Sequence, residues 1–442
     1  MITALVLCFV IGYSLIVFEH PLRLDKSVPA LLMGSLCWAI ISIGHIDVIN
    51  HEHAVGAIEP VLLHHIGKIA EILLFLIGAM TIVELIDLHR GFSVITDRIK
   101  TTRKSSMLWI ILILAFFMSA VLDNLASTIV LVSLLRRLVP DREERLWFVS
   151  MAVIGANAGG AWSPIGDVTT TMLWIGKKVS SLGLIEHIVI PSIACIAIPG
   201  IIGMFLPAFR GTITPKSSTS EQKEEKQLRS SKWILIAGIG GLIFVPIFKS
   251  ITHLPPYIGI MLSLGIVWLI SEYIHPGEDF SHEEREVLSA RYALSRIELS
   301  SIIFFLGILA AVAALESAAI MGHGGHMVGL LAYAAEGLDQ AIPSIDIVVI
   351  VLGFFSAIID NVPLVAASMG MYSFPMDDRL WHFIAYSAGT GGSMLIIGSA
   401  AGVAAMGMER IDFIWYLKNI SWIAALGFLG GAGAFILLSM FF

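Results

Sequence analysis

Apolar runs recur along the whole chain and are separated by short polar segments. Each run approaches the roughly 20 residues that an α-helix needs to cross the hydrocarbon core of a bilayer. Residues 2–19 have no basic stretch before them and no small-residue cleavage motif, so we expect a first span there rather than a signal peptide. The runs predict membrane-spanning helices near residues 2–19, 28–47, 64–88, 184–209, 233–251, 257–274, 297–320 and 414–440. The pattern therefore predicts an all-α polytopic membrane protein.

The composition agrees with a membrane location. Of the 442 residues, 57% are hydrophobic and only 14% are charged, whereas soluble proteins contain about 25% charged residues. The net charge of −7 gives no indication of a nucleic-acid partner. The three cysteines, Cys8, Cys37 and Cys195, all lie inside apolar runs, which argues against disulfide bonds or a thiolate metal site. A soluble protein is excluded, and we expect the lipid bilayer to surround the chain.

The basic residues between the spans predict the orientation of the chain. Lysine and arginine gather in alternate loops, at residues 23–26, 90–104, 210–232 and 285–296, and the positive-inside rule places these loops in the cytoplasm. The acidic loop 48–60 and the N-terminus then face outside. Residues 210–232 are charged and rich in serine, so we expect a cytoplasmic linker between two halves of the protein.

Two further apolar runs do not fit as simple spans. Residues 107–138 are too many for one helix and too few for two spans with a turn, and basic residues flank both ends. A re-entrant helical hairpin satisfies both facts, with the pair Asp123-Asn124 at a tip that is buried in protein or lines a watery cavity. Residues 345–374 have a similar length around the pair Asp360-Asn361, but acidic residues flank them. We expect this second hairpin to enter the membrane from outside.

The two hairpins are followed by related segments that glycine interrupts. Both tips contain Ser-Ala-x-x-Asp-Asn, and the Gly-Gly pair in residues 146–175 aligns with the pair in residues 381–408. The sequence therefore predicts two inverted-topology repeats, each with a re-entrant helical hairpin and a broken transmembrane helix. Such repeats, with a site near the midplane, are typical of secondary transporters. A structural membrane protein whose Asp-Asn pairs only cap helix ends is the alternative.

The same features predict the domain organisation. We expect N-terminal scaffold helices in residues 1–60, a first repeat in 61–209, the cytoplasmic linker in 210–232 and a second half in 233–442.

Three acidic residues, Asp123, Asp167 and Asp360, fall inside the predicted membrane region. A carboxylate at that depth costs about 2.5–3.5 kcal/mol, so it needs a partner, a proton or an ion. Amide, hydroxyl and carbonyl oxygens near them are hard ligands, which suit Na⁺ or Li⁺ rather than a soft metal. The residues that offer them are Asn124, Ser127, Thr128, Asn157, Gly159, Gly160, Ser163, Pro164, Thr169, Asn361, Thr390, Gly391, Gly392, Ser393 and Ser399. Two tip carboxylates would repel an anion and attract a cation. A carboxylate that binds either Na⁺ or H⁺ can exchange one for the other.

Other ionisable residues give weaker signals. Glu84 and Glu316 lie deep enough in their spans to act as proton relays or as salt-bridge partners. Histidines cluster near residues 51–65 and at His323 and His326, where a pH-sensing role and solvated loop residues are the alternatives.

Four long motifs resemble the NhaD-type sodium/proton antiporters of the ion transporter superfamily, and the similarity runs from about residue 60 to 440. They are D-N-L-A-S-T-I-V from Asp123, N-A-G-G-A-W-S-P-I-G-D-V-T-T-T-M-L-W-I from Asn157, D-N-V-P-L-V-A-A-S-M-G-M-Y from Asp360 and A-G-T-G-G-S-M-L-I-I-G-S-A-A-G-V-A-A-M-G from Ala388. The resemblance implies a scaffold domain that dimerises and a transport domain that moves in an elevator-like, alternating-access cycle. It also implies exchange of cytoplasmic Na⁺ or Li⁺ for external H⁺, without a cofactor, in the bacterial inner membrane.

The resemblance also implies the site residues. Carried over by position, the hairpin acids and amides are Asp123, Asn124, Asp360 and Asn361, and the polar groups of the unwound helices are Asn157, Asp167, Thr390 and Ser393. We expect Asp123 and Asp360 to hold Na⁺, and Asp167 to complete the site or to relay the proton. A Na⁺-coupled carrier of dicarboxylate-type or arsenite-type anions is the first alternative. An intramembrane aspartyl protease is the second, but the Gly-x-Gly-Asp setting expected of it does not surround either tip, so we expect no enzyme.

Overall fold

The protein is mostly helical. The computed structural model describes residues 1–18, 22, 24–50, 55–96, 99, 101–213, 230–274, 288–322, 326–342, 344–358 and 360–441. The first half contains α1 (Ile2–Val17), α2 (Ser27–Ile43), α3 (Ile58–Leu88), α4 (Ser93–Thr96), α5 (Lys104–Leu122), α6 (Asn124–Leu138), α7 (Arg142–Gly160), α8 (Val168–Ile175) and α9 (Ser181–Phe205). The second half contains α10 (Ser231–Thr252), α11 (Pro256–Tyr273), α12 (Ala290–Arg296), α13 (Leu299–Ser317), α14 (Leu330–Ala341), α15 (Ile345–Ser356), α16 (Asn361–Met371), α17 (Arg379–Gly391), α18 (Ala400–Glu409), α19 (Phe413–Asn419) and α20 (Ser421–Leu438).

Two short antiparallel strand pairs lie at helix ends. Strand β1 (Val48–Ile49) pairs with β2 (Val55–Gly56), and β3 (Ala319–Met321) pairs with β4 (Met327–Gly329). A bridge between Val48 and Ala318 joins the two pairs. They therefore connect the segment after α2 to the end of α13.

The predicted spans are confirmed as helices. Within the described ranges, seven helices (α3, α5, α9, α10, α11, α13 and α20) are long and apolar enough to cross a membrane. Helices α1 and α2 are also apolar but have only 16 and 17 residues. The predicted last span differs in one respect, because residues 414–440 are divided between α19 and α20. The chain is therefore a polytopic membrane protein.

The two apolar runs that did not fit as spans are each a pair of consecutive helices. The first pair, α5–α6, breaks at Asp123, and the second, α15–α16, breaks just before Asn361. Helix α5 has 19 residues and is long enough to cross a membrane by itself, whereas α15 has 12. The breaks at the predicted tips are confirmed, and the re-entrant course stays a prediction.

The glycine-interrupted segments are broken as the sequence predicts. A non-helical segment separates α7 from α8, and another separates α17 from α18. A Cβ atom at Gly159 would overlap the carbonyl oxygen of Phe116 on α5, and one at Gly391 would overlap the carbonyl oxygen of Gly353 on α15. Each broken helix therefore lies directly against the backbone of the first helix of a pair, in the same way in both halves of the chain.

Helices α2 and α13 run side by side in the same direction. Near their starts, Ser27 Oγ donates a hydrogen bond of 2.8 Å to the carbonyl oxygen of Ser300. Two turns further, a Cβ atom at Gly34 would lie 2.6 Å from the carbonyl oxygen of Gly307. Small residues at such a crossing let two backbones approach closely, which is how helices associate in a membrane. Helices α1 and α3 pack against this pair.

A buried carboxylate ties the first helix pair to the second broken helix. Glu409, at the end of α18, accepts hydrogen bonds from Arg136 Nε at 2.6 Å and from Arg145 Nε at 2.9 Å. Arg142 donates to the carbonyl oxygen of Glu409 at 3.0 Å. The Glu409 side chain is only 2% exposed, and these arginines provide its counter-charges.

Some sequence-based predictions concern residues outside the described ranges. These are His51, His53 and His323 of the histidine clusters, and residues 214–229 in the middle of the expected linker. The division of the chain at residues 60, 209 and 232 stays a prediction.

The glycine contacts predict a stability effect. We expect Gly159→Ala and Gly391→Ala each to destabilise the folded protein by about 1–3 kcal/mol, because the added methyl group forces apart two packed backbones. The measurement is the melting temperature of the detergent-purified protein. Gly240→Ala is the control, since a Cβ there meets nothing within 4 Å and alanine favours the α10 helix. Equal melting temperatures for all three variants would contradict the close approach.

Candidate ion-binding site

Asp167 lies at the centre of a network that joins the two helix pairs. Its Oδ2 atom accepts hydrogen bonds from Asn124 Nδ2 at 3.3 Å and from Asn361 Nδ2 at 3.1 Å. Its Oδ1 atom accepts from the backbone N–H of Thr169 at 3.2 Å and so caps α8. The residue is only 2% exposed. One carboxylate therefore binds the amide of both predicted tips.

Asn157, near the end of α7, links the first tip to the second broken helix. Its Oδ1 atom accepts from Asn124 Nδ2 at 3.1 Å, while its Nδ2 atom donates to Ser393 Oγ and to Ser399 Oγ, both at 2.9 Å. Asn157 is fully buried, and each of its amide atoms has a partner. The amide thereby fixes the position of both serines relative to the Asn124 side chain.

The two tip aspartates each cap the second helix of their pair. Asp123 Oδ1 accepts from the backbone N–H of Ala126 at 2.7 Å, and Asp360 Oδ1 accepts from the backbone N–H of Val362 at 3.2 Å. Asp123 has φ +80° and ψ 164°, a conformation that residues other than glycine rarely adopt. Strain of this kind persists only where surrounding contacts enforce it, and it concentrates at functional sites.

A small cavity lies between the tips. Its volume is about 60 Å³, and one water-sized sphere needs about 10–15 Å³ of such space. The charged side chains that line it are Lys26, Asp123, Asp167 and Asp360. The cavity therefore has room for an ion with a few water molecules, and acidic side chains outnumber basic ones in its largely apolar lining.

The partial charges at the helix ends around the site do not reverse the sign of its charge. Helices α6, α8, α16 and α18 begin there, and each N-terminus carries roughly half a positive charge. Their caps are Asp123, Asp167, Asp360 and Ser399, so three of the four N-terminal caps are carboxyl groups. The ends of the preceding helices contribute partial negative charge. The arrangement favours a cation over an anion.

Several of the remaining predicted site residues have local roles. Thr390 Oγ1 donates to the carbonyl oxygen of Tyr386 within its own helix at 2.6 Å, so its hydroxyl serves α17. The carbonyl oxygen of Pro164 accepts from Thr171 Oγ1 at 2.9 Å, and that of Ser163 accepts from the backbone N–H of Gly166 at 3.3 Å. The glycine pairs Gly159-Gly160 and Gly391-Gly392 act through close backbone contact.

Neither glutamate that the sequence suggested as a relay lines the central cavity. Glu84 Oε1 pairs with Arg296 Nε at 2.7 Å, near the ends of α3 and α12. Glu316 lines a separate cavity of about 920 Å³, together with Lys68 and Lys178. The sequence left Glu84 two roles, proton relay and salt-bridge partner, and the structure shows the salt bridge.

Lys26 is a site residue that the sequence does not predict. Its position in a basic loop predicts only a cytoplasmic location, whereas the structure places Lys26 Nζ 3.2 Å from Asp360 Oδ2. Nothing in its neighbourhood along the chain distinguishes it from other lysines that flank a span, and its partner lies 334 positions away. Only the tertiary structure could reveal this pair.

Broken helices that meet around buried carboxylates, in a protein with several apolar spans, define a membrane transporter. The chain belongs to the family described as citrate transporter (CitMHS), whose model matches residues 13–381. This membership agrees with the expectation of a transporter rather than an intramembrane enzyme.

Individual relatives carry a different description. Sodium/proton antiporter 1 of Arabidopsis thaliana is 45% identical over 98% of this chain and 72% of its own length. Sodium/proton antiporter 2 of the same plant is 44% identical over 96% of this chain and 97% of its own length. The Na⁺/H⁺ antiporter NhaD of Vibrio cholerae is 31% identical over 95% of this chain and 87% of its own length. The resemblance to NhaD-type antiporters is confirmed.

The Asn157 network predicts a large stability effect. We expect Asn157→Ala to destabilise the folded protein by about 2–4 kcal/mol, because it leaves Asn124, Ser393 and Ser399 short of partners in a buried place. Thermal unfolding of the purified protein measures this. Asn419→Ala is the matched control, since the Asn419 amide makes one bond, of 2.8 Å, within its own helical turn. A loss no greater than that of the control would show that the network contributes little.

Proposed function

We propose that the protein is a secondary active antiporter that exchanges cytoplasmic Na⁺, or Li⁺, for external H⁺. The observation that carries the proposal is the convergence of Asp123, Asp167 and Asp360 on one small cavity. Oxygen atoms dominate the polar groups there, and they are the ligands that hard cations prefer. The relatives named sodium/proton antiporters support the same activity.

Competition for the carboxylates provides the exchange. A carboxylate in a water-poor site is stabilised by Na⁺ or by a proton, and a given oxygen atom binds one of them at a time. In this proposal Asp123 and Asp360 bind Na⁺, with Asn124, Asn157, Asn361 and Ser393 as neighbouring ligands. Asp167 either completes the site or accepts the proton, since its carboxylate contacts the amides of both tips.

An alternating-access movement completes the cycle. The two halves share helix breaks, caps and glycine contacts, which supports two inverted repeats with re-entrant hairpins α5–α6 and α15–α16. Carriers built from such repeats expose a fixed site to each side in turn. We propose that the hairpins and broken helices move as one body against a scaffold that dimerises. We further propose a bacterial inner membrane, although the relatives come from a plant as well as from bacteria.

A Na⁺-coupled anion carrier is the second candidate, because the family is described as citrate transporter. Citrate carries several negative charges, and it would meet three carboxylates within a cavity of about 60 Å³. Like charges at short range in a poorly screened site repel strongly. The charges of the site therefore favour cation exchange.

The test of the proposed function is Na⁺-induced dequenching of a pH-sensitive dye in everted vesicles. We expect exchange by the unaltered protein and its loss in Asp123→Asn and in Asp360→Asn, because a neutral amide cannot replace the charge that Na⁺ requires. Asp412→Asn is the matched control. Like Asp123, Asp412 caps a helix by accepting from the N–H three residues later, but it lies outside the cavity.

Two results would contradict the proposal. Full exchange in both tip variants would remove these aspartates from the ion site. Uptake of radiolabelled citrate or succinate driven by a Na⁺ gradient, without Na⁺/H⁺ exchange, would establish the anion carrier instead.

A further inference from the structure

We propose that Lys26 is a built-in competitor of Na⁺, whose ammonium group occupies Asp360 until Na⁺ displaces it. This inference rests on the proposed Na⁺/H⁺ exchange and adds a residue that controls how tightly the site binds its cation. Lys26 Nζ lies 3.2 Å from Asp360 Oδ2, and the two side chains are only 26% and 18% exposed. An ion pair that is partly withdrawn from water is screened less than one on an open surface.

Lys26 is held in this place by more than its charge. Its Nζ atom lies 4.7 Å from the centroid of the Phe304 ring, within the range of a cation–π contact. Lys26 is also the N-cap residue of α2, whose first turn is fixed to α13 through Ser27 and Ser300. The ammonium group is therefore positioned by α2 and α13, both of which lie outside the helix pair that carries Asp360.

The two oxygen atoms of Asp360 have different partners. Oδ1 accepts from the backbone N–H of Val362, and Oδ2 faces Lys26. Na⁺ that binds through the oxygen not used by the helix cap must therefore take the place of Lys26 Nζ. Two cations on one oxygen atom repel each other, so the ammonium group has to move away before Na⁺ binds.

The two tip aspartates differ in whether a basic side chain pairs with them. Within the part of the chain that the structure describes, Asp123 has no lysine, arginine or histidine nitrogen within 4.0 Å of its carboxylate. Lys26 also provides the single basic side chain in the described lining of the cavity. The competition therefore acts at the second tip, and it sets the affinity for Na⁺ without removing a ligand.

The pair has a structural consequence as well. It connects the α2–α13 pair to the helix pair α15–α16, which the proposed function assigns to different bodies. Displacement of Lys26 by Na⁺ removes this connection at the moment when the site is filled. Binding of the cation thereby becomes linked to the freedom of the second helix pair to move.

The test compares Na⁺ binding by the full-length protein with that by Lys26→Met and Lys26→Gln. Na⁺-induced thermal stabilisation at fixed pH, with choline replacing Na⁺ at constant ionic strength, gives the apparent Kd. We expect both variants to bind Na⁺ about tenfold more tightly, because the competing charge is gone. In proteoliposomes, the KM for Na⁺ should fall together with kcat, since Na⁺ leaves more slowly. Lys26→Arg, which keeps the charge, should restore values close to those of the unaltered protein.

Lys249→Met is the matched control. Lys249 Nζ also lies over an aromatic ring, 4.2 Å from the centroid of Trp174, and donates to the carbonyl oxygen of Trp174 at 3.0 Å. Among the described residues it has no carboxylate oxygen within 4.0 Å. We expect its replacement to leave the Kd for Na⁺ unchanged.

The outcomes separate this inference from the proposed function. Unchanged or weaker Na⁺ binding in both Lys26 variants, with or without a lower melting temperature, overturns the competition and leaves the exchange activity standing. An unaltered protein that binds no Na⁺ overturns both. Tighter binding in Lys26→Met and Lys26→Gln but not in Lys26→Arg or Lys249→Met supports the inference.

Discussion

The structure depends on how one buried carboxylate is compensated. The Asp167 carboxylate is buried away from water. It accepts hydrogen bonds from the asparagine amides of both Asp-Asn pairs and from the backbone N–H of Thr169 at the start of α8. Those bonds require α8 to begin directly after Asp167, the first helix pair to break at Asp123, and the second to break before Asn361. The broken helices can reach this point because glycine lets them lie on the backbone of α5 and α15. The helix breaks, the helix caps and the glycine contacts thus all contribute to compensating the buried Asp167 carboxylate.

Much of this could be predicted from the sequence, because the signals are local. Apolar runs of a given length predict helices, and an acid followed by an amide in the middle of such a run indicates a break, since neither belongs in lipid. The partners of Asn157 could not be predicted. Its bonds to Ser393 and Ser399 depend on how α7 packs against a segment more than two hundred residues away. Lys26 was missed for the same reason, and so was the contact of Glu409 with Arg136 and Arg145.

Family membership and site chemistry answer different questions. The match over residues 13–381 to a family described as citrate transporter concerns the framework of helices, which can serve more than one kind of cargo. Whether the transported ion is a cation or an anion is decided by a few side chains at the helix breaks. Here three of four helix N-termini are capped by aspartate, and one lysine offsets only part of that charge. This balance of charges favours cations, although the family is described as citrate transporter.

The network around Asp167 also affects how the chain is made. Asp167 and Asn157 are synthesised with the first half, whereas Asn361, Ser393 and Ser399 emerge much later. Until then a carboxylate and an amide that are buried in the complete protein lack part of their hydrogen bonding. The first half is therefore an incomplete folding unit while translation continues. Membrane insertion can proceed helix by helix, but the interior of the protein closes only when the second half has arrived.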